Sequence, residues 1–152
     1  MLRGASALNL DAKGRLAIPG RYRDQLAERC EGRMVVTVNA DKEHCLWMYP
    51  LDAWHQAEEK VVGLPSFDPA HQRLKRFFIG YANPVEMDKS GRVLLPAPLR
   101  EFALIAKAVC LIGQGNKFEV WDEALWNARR DQWLREEIDP QRISPELEQL
   151  TL

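Results

Sequence analysis

A ten-residue phrase occurs twice in this chain. "LDAKGRLAIP" runs from Leu10 to Pro19 and "MDKSGRVLLP" from Met87 to Pro96. At an offset of 77, Asp11 meets Asp88, Gly14 meets Gly91, Arg15 meets Arg92, Pro19 meets Pro96 and Arg23 meets Arg100. Downstream the match resumes at an offset of 72, with "LWMYPLDAW" (Leu46 to Trp54) beside "FEVWDEALW" (Phe118 to Trp126). The second copy is therefore five residues shorter between the two anchors. A duplication of this kind constrains the fold more than composition does, because it fixes the repeating unit.

Each copy reads as the same string of elements. "ASALNL" and "NPVEM" have strand character and lead into a turn. An aspartate at the turn start accepts hydrogen bonds from the turn's own N–H groups. Gly14 and Gly91 supply the positive φ of a tight reversal. "RLAIP" and "RVLLP" then read as apolar strands buried on both faces, each stopped by a proline. Short helices follow in "GRYRDQLA", with Tyr22 and Leu26 four apart, and in "APLREFA", with Leu99, Phe102 and Ala103. Two more strands close each copy: "MVVTV" and "CLWMY" in the first, "AVCLIG" and "KFEVW" in the second. The predicted order, strand-turn-strand-helix-strand-strand, thus occurs twice.

The expected organisation is a first copy over 5–52, a helical connector over 53–80, a second copy over 81–124, and a C-terminal helix and tail over 125–152. In the connector, Trp54, Ala57 and Val61 mark one helix face. "PSFDP" breaks that helix, and Asp68 reads as the N-cap of another with Pro69 at its first position and Gly80 as its stop. "DEALWNARRDQWLREEI" reads as an amphipathic helix with Trp126 and Trp133 seven apart. Trp47, Trp54, Trp121 and Trp126 recur at offsets of 72–74, which predicts equivalent core or interface positions.

Composition excludes several classes. The chain has 152 residues, 46% of them hydrophobic and 28% charged, with a net charge of -1. That is a globular mixture, and any basic footprint must be local. No apolar run approaches the ~20 residues of a membrane helix, and the N-terminus lacks the apolar core of a secretion signal, so a cytoplasmic location is expected. Cys30, Cys45 and Cys110 are odd in number and widely spaced, which favours buried thiols over a disulfide framework or a zinc site. His44, His55 and His71 match no compact ligand spacing, so no metal or other cofactor is expected. "GQGNK" lacks a GK[ST] ending and reads as a hairpin turn.

The local footprint is found at the duplicated turns. Residues 1–23 carry five basic side chains, Arg3, Lys13, Arg15, Arg21 and Arg23, against one acid, Asp11. The second copy offers Lys89, Arg92 and Arg100 against Glu86 and Asp88. Two readings stay open on the residues alone. Asp11 can pair with Arg15 across a hairpin, a surface contact worth at most ~1 kcal/mol. Alternatively, two rigid cationic tips can straddle a nucleic-acid groove, where arginine makes bidentate contacts and lysine acts as a point charge.

"RGASALNLDAKGRLAIPGRYRDQL", "MDKSGRVLLPAPLREFA" and "GQGNKFEVWDEALW" together resemble the MraZ family of bacterial transcriptional regulators, within the AbrB-like swapped-hairpin group. The resemblance covers nearly the whole chain. It implies an α+β, mainly β fold, in which two tandem AbrB-like copies form one intrachain pseudo-dimeric β-barrel with flanking helices. It also implies a nucleoid-associated, ring-shaped homo-oligomer that binds short repeated promoter boxes and represses its own division and cell-wall operon. By the same resemblance the DNA-contacting residues are Lys13 and Arg15, and Lys89 and Arg92, with Asp11, Gly14, Asp88 and Gly91 shaping the turns. Arg3 and Arg21 are further candidates placed by local charge alone. Ser90 stands where the first copy has Lys13, so the two tips are not chemically equivalent. The rival readings are an antidote-like protein-binding module of the same fold, which would need a tail that folds on its partner, and a small enzyme. No convergent set of titratable groups marks a catalytic pocket for a small-molecule substrate.

Overall fold

Pairing of the duplicated strands sets the architecture. The structure, a computed structural model, describes all 152 residues. In chain order the first copy supplies β1 (Leu2–Asn9), β2 (Arg15–Ala17), α1 (Gly20–Cys30), β3 (Arg33–Val38) and β4 (Leu46–Pro50). The connector holds α2 (Leu51–Val62), α3 (Pro69–Leu74) and a π-helical turn, Lys75–Ile79. The second copy supplies β5 (Asn83–Glu86), β6 (Arg92–Leu94), α4 (Ala97–Phe102), β7 (Ala108–Gly115) and β8 (Phe118–Asp122). After it come α5 (Glu123–Arg135), a 3-10 turn at Pro140–Arg142 and α6 (Pro145–Glu148).

The helix boundaries follow the local chemistry. Prolines at 19, 50 and 96 stand immediately before α1, α2 and α4. The Asp68 carboxylate accepts from the Ala70 N–H with Pro69 in the first turn, and Asp122 accepts from the Leu125 N–H at the start of α5. Along α1, Tyr22, Leu26 and Cys30 fall four apart and are all buried.

A six-stranded antiparallel sheet runs β1-β7-β8-β4-β3-β5, and β2 and β6 form a separate two-stranded ribbon. Only β3–β4 and β7–β8 pair within a copy. Every other pairing crosses between copies: β1 with β7, β5 with β3, β4 with β8 and β2 with β6. A pseudo-twofold relates the halves. It passes through the pair Leu16–Val93 in the ribbon and Trp47–Glu119 in the sheet, each residue facing its own counterpart in the duplication.

The swapped hairpins are present, but no closed sheet forms. β1 and β5 are the two edges of the six-stranded sheet and do not meet. The reason lies in the Asp-led turns. They lift β2 and β6 off the sheet into a second layer, and Pro19 and Pro96 end the ribbon after three residues per strand. The ribbon strands also bury one face only: Leu16 and Val93 are fully enclosed, whereas Leu94 is 53% exposed.

Alternation along the central strands divides the core. Met34, Val36, Val38, Leu46, Met48, Val109, Leu111, Phe118 and Val120 face the ribbon, α1 and α4. On the opposite face two aromatic clusters lie under the helices that follow β4 and β8. Tyr49, Trp54 and Phe78 pack together, and Trp121, Trp126 and Trp133 do the same. Trp54 and Trp126 are thus equivalent, as their spacing predicts, but Trp47 is not the counterpart of Trp121. The offset of 72 matches Trp47 with Glu119 and Tyr49 with Trp121, and Trp47 faces Glu119 across the β4–β8 register.

Glu119 is a buried carboxylate. It accepts from the indole N–H of Trp47 at 3.2 Å and of Trp121 at 3.1 Å, and from the Cys45 thiol at 3.6 Å. Burial, followed by the nearby Glu119 charge, pushes the Cys45 thiol far up, so it stays protonated and donates. All three cysteines are buried and free. Glu119→Ala strands both indole donors and should lower stability by roughly 1–3 kcal/mol in denaturant unfolding. A loss below about 0.5 kcal/mol would show that the carboxylate is not what satisfies them.

Candidate nucleic-acid interface

Each tip is built around one carboxylate. In the first, Asp11 Oδ1 accepts from the backbone N–H of Lys13 at 3.0 Å and of Arg15 at 2.9 Å. Asp11 Oδ2 accepts from Arg15 Nε at 2.6 Å. In the second, Asp88 Oδ1 accepts from the N–H of Ser90 at 2.8 Å and of Arg92 at 3.0 Å, and Oδ2 from Arg92 Nε at 3.2 Å. The main chains close identically, with Gly14 N–H donating to Asp11 O and Gly91 N–H to Asp88 O. Gly14 at φ +83 and Gly91 at φ +73 occupy the left-handed region.

The Asp–Arg pair and the presented cation are therefore one device. The carboxylate grips the guanidinium through Nε, at its root, and leaves the four Nη hydrogens outside that bond. The arginines remain accessible, with side chains 27% exposed at Arg15 and 35% at Arg92. The Arg15 backbone N–H is the main influence holding the Asp11 carboxyl below the usual aspartate range; burial opposes it and the Arg15 side chain and Lys13 N–H reinforce it. The Arg92 backbone N–H does the same for Asp88.

The tips stand side by side. Arg92 Nη1 of the second lies 3.8 Å from Asp11 Oδ2 of the first. Each tip is also packed by an arginine from the other copy. Arg100 lies against Gly14 while its Nε donates to Leu95 O at 3.1 Å, and Arg23 lies against Gly91 while its Nε donates to Ile18 O at 2.6 Å. A Cβ on Gly14 would sit 2.8 Å from Arg100 Cζ, and one on Gly91 2.5 Å from Arg23 Nε. These glycines thus serve the turn and also make room for a crossing guanidinium.

Of the candidate residues, Asp11, Gly14, Arg15, Asp88, Gly91 and Arg92 come together at the ribbon, and Lys13 and Lys89 are exposed on its flanking turns. Arg3 and Arg21 form a different patch. Arg21 donates to Ser6 Oγ at 2.6 Å and lies over the Tyr22 ring, while the Arg3 carbonyl accepts from the Tyr22 hydroxyl. Their polar contacts run to β1 and Tyr22, none to the tips. The site also includes Arg23, Arg100 and Lys107. The first two were legible as a matched pair in the duplication. Lys107 has no motif; it borders the first tip because the Leu10 N–H donates to its carbonyl at 2.8 Å.

A family model described as "MraZ protein, putative antitoxin-like" matches residues 1–77 and again 78–141. The chain belongs to the MraZ family. It is 49% identical over 152 residues to the transcriptional regulator MraZ of Thioalkalivibrio sulfidiphilus, covering all of both chains. It is 50% identical over 153 residues to that of Halorhodospira halophila, again covering both completely. To the transcriptional regulator MraZ of Methylococcus capsulatus it is 51% identical over 136 residues, or 90% of this chain and 88% of the relative. The two matched spans of this MraZ-family chain correspond to its two copies, with the connector assigned to the first.

Two outcomes test the tip geometry. Both carboxyls titrate lower in the folded chain than in the unfolded one, so they contribute stability above the ordinary aspartate pKa of about 3.9, lost as pH falls through their folded values. Carboxyl-carbon NMR should place Asp11 and Asp88 below that value, with Asp11 rising in Arg15→Ala; ordinary titration of both would contradict the cradle. Gly14→Ala should cost roughly 1–2 kcal/mol from the left-handed backbone alone, and the thermal midpoint should drop accordingly.

Proposed function

We propose that this chain is a DNA-binding transcriptional regulator that grips promoter DNA with its two tips. The observation that carries the reading is the paired Asp-anchored guanidinium at the ribbon, Arg15 and Arg92 fixed at Nε beside one another. A fixed fork costs little ordering entropy on binding and suits guanine edges or phosphates. Exposed Lys13 and Lys89 add point charge for the backbone. Relatives named transcriptional regulator MraZ support the same reading.

The assembly we propose is a closed ring of copies, each setting its tips on one of several short promoter boxes, with repression of its own division and cell-wall operon as the outcome. The net charge of -1 makes a lone copy a weak, salt-sensitive binder. Several tip pairs acting on one DNA raise the effective concentration, with avidity gains of ~100-fold or more. A cytoplasmic, nucleoid-associated location follows from that role. No helix is long and apolar enough to cross a membrane.

Gel-shift titration against DNA just upstream of the coding region, at several salt concentrations, tests this. Arg15→Ala should weaken binding by about 5- to 150-fold, the range of one good base contact, with circular dichroism unchanged. Lys13→Ala should weaken it across sequences and reduce the salt slope by about 1. Arg92→Ala should cost less than Arg15→Ala, since Arg92 is shared by two carboxylates. Unaltered binding by Arg15→Ala removes the central contact. A chain that folds but binds no DNA returns the protein-binding, antidote-like reading, and a monomer in light scattering at micromolar concentration removes the ring.

A further inference from the structure

Of the five residues by which the second copy is shorter, three are lost at a single turn, and a cavity lies there. Strand register pairs Arg33 with Glu86 and, in the other half, Ala108 with Asn9, so β3 and β7 are offset by 75. β4 and β8 are offset by 72. The turn between β3 and β4 is therefore three residues longer than the turn between β7 and β8. These extra residues, the π-helical turn and the end of α4 line a cavity of about 310 Å³ that is open to solvent, its volume within the range of small-ligand sites.

Its walls combine rings with uncompensated charge. Phe77 and Phe102 supply aromatic surface, and the His44 ring lies 5.6 Å from that of Phe102 with its Nδ1 3.1 Å from the Phe102 carbonyl. Lys42 and Arg73 both line the cavity, and neither makes an ion pair or a side-chain hydrogen bond. Glu43, the only carboxylate on the wall, is taken by Arg129 through two hydrogen bonds. The backbone around the cavity is unusual as well. Lys42 is left-handed at φ +59, and Gly80 N–H bonds Lys75 O across the wide turn that carries Phe77. Wide turns of this type are concentrated at functional sites.

We propose that this cavity binds a small aromatic anion, its ring against the aromatic wall of Phe77 and Phe102 and its charge on Arg73 and Lys42. Both cations are exposed and have no carboxylate partner, so they are free to meet the ligand's charge. Arg73, 5.7 Å from the Phe77 ring, is placed to meet both parts of such a molecule. The volume admits a single-ring compound. The site lies against α4, whose Arg100 packs on Gly14, so the bound ring and the first tip touch the same short helix.

The test is an amide NMR titration of the full chain with phenyl phosphate, with inorganic phosphate and benzyl alcohol as single-feature controls. Phenyl phosphate should produce saturable shifts at Lys42, His44 and Phe102 with a Kd on the order of 1 mM. Each control should bind at least about 5-fold more weakly, and Arg73→Gln and Lys42→Gln should each weaken phenyl phosphate by about 5-fold. Both side chains are at the surface, so the variants should keep the native thermal midpoint. Three results overturn the site: no saturation by about 10 mM, equal binding of inorganic phosphate, or shifts confined to Lys13, Arg15, Lys89 and Arg92. Undiminished binding by both variants overturns it too.

Discussion

Neither copy can satisfy its own backbone. β1 has no partner in the first copy and β5 has none in the second; each is hydrogen-bonded only by the third strand of the opposite half. Unpaired strand groups taken out of water are expensive, so the two halves must fold as one body. Everything at the candidate interface inherits this exchange. The ribbon exists because β2 and β6 find each other across the pseudo-twofold, and the tips adjoin because the ribbon is three residues long.

Within that frame, two aspartates do the local shaping. Each carboxylate closes a turn through two backbone N–H groups and fixes the base of a guanidinium with its second oxygen. Hairpin stabilisation and cation presentation are usually posed as competing explanations of an Asp-x-x-Gly-Arg turn. Here one hydrogen-bond set accomplishes both. The crossing arginines extend the exchange to side chains, since each tip rests on a residue of the other copy.

Much of this was legible in the sequence. The offset of 77 located both turns, both helices and the prolines that stop the ribbon, and each strand overlaps the stretch read for it, although β1 begins three residues before "ASALNL", at the buried Leu2. The swapped pairing came only with the family resemblance, because a repeat says that two units match and is silent on which strands they trade. The expected barrel failed for a physical reason: three-residue strands ending in proline are too short to bridge the sheet edges. The burial of "RVLLP" was overstated because Leu94 belongs to the outward face of a two-layer ribbon. Glu119 was invisible, its meaning set by Trp47 and Trp121 from two different strands. Lys107 and the cavity at His44 were likewise hidden, since turns and strand starts distant in the chain bring them together.

The pair Trp47–Glu119 carries a consequence for the history of the halves. It lies where the pseudo-twofold crosses the sheet, and there, as at Leu16–Val93 in the ribbon, a true two-chain dimer must place a residue against itself. Two first halves joined this way would oppose indole to indole, donors without an acceptor. Two second halves would oppose carboxylate to carboxylate in the interior. Tandem linkage removed the demand for self-complementarity, and a donor–acceptor match has taken its place. A separated half that paired with its own twin would meet that mismatch at the centre of its sheet.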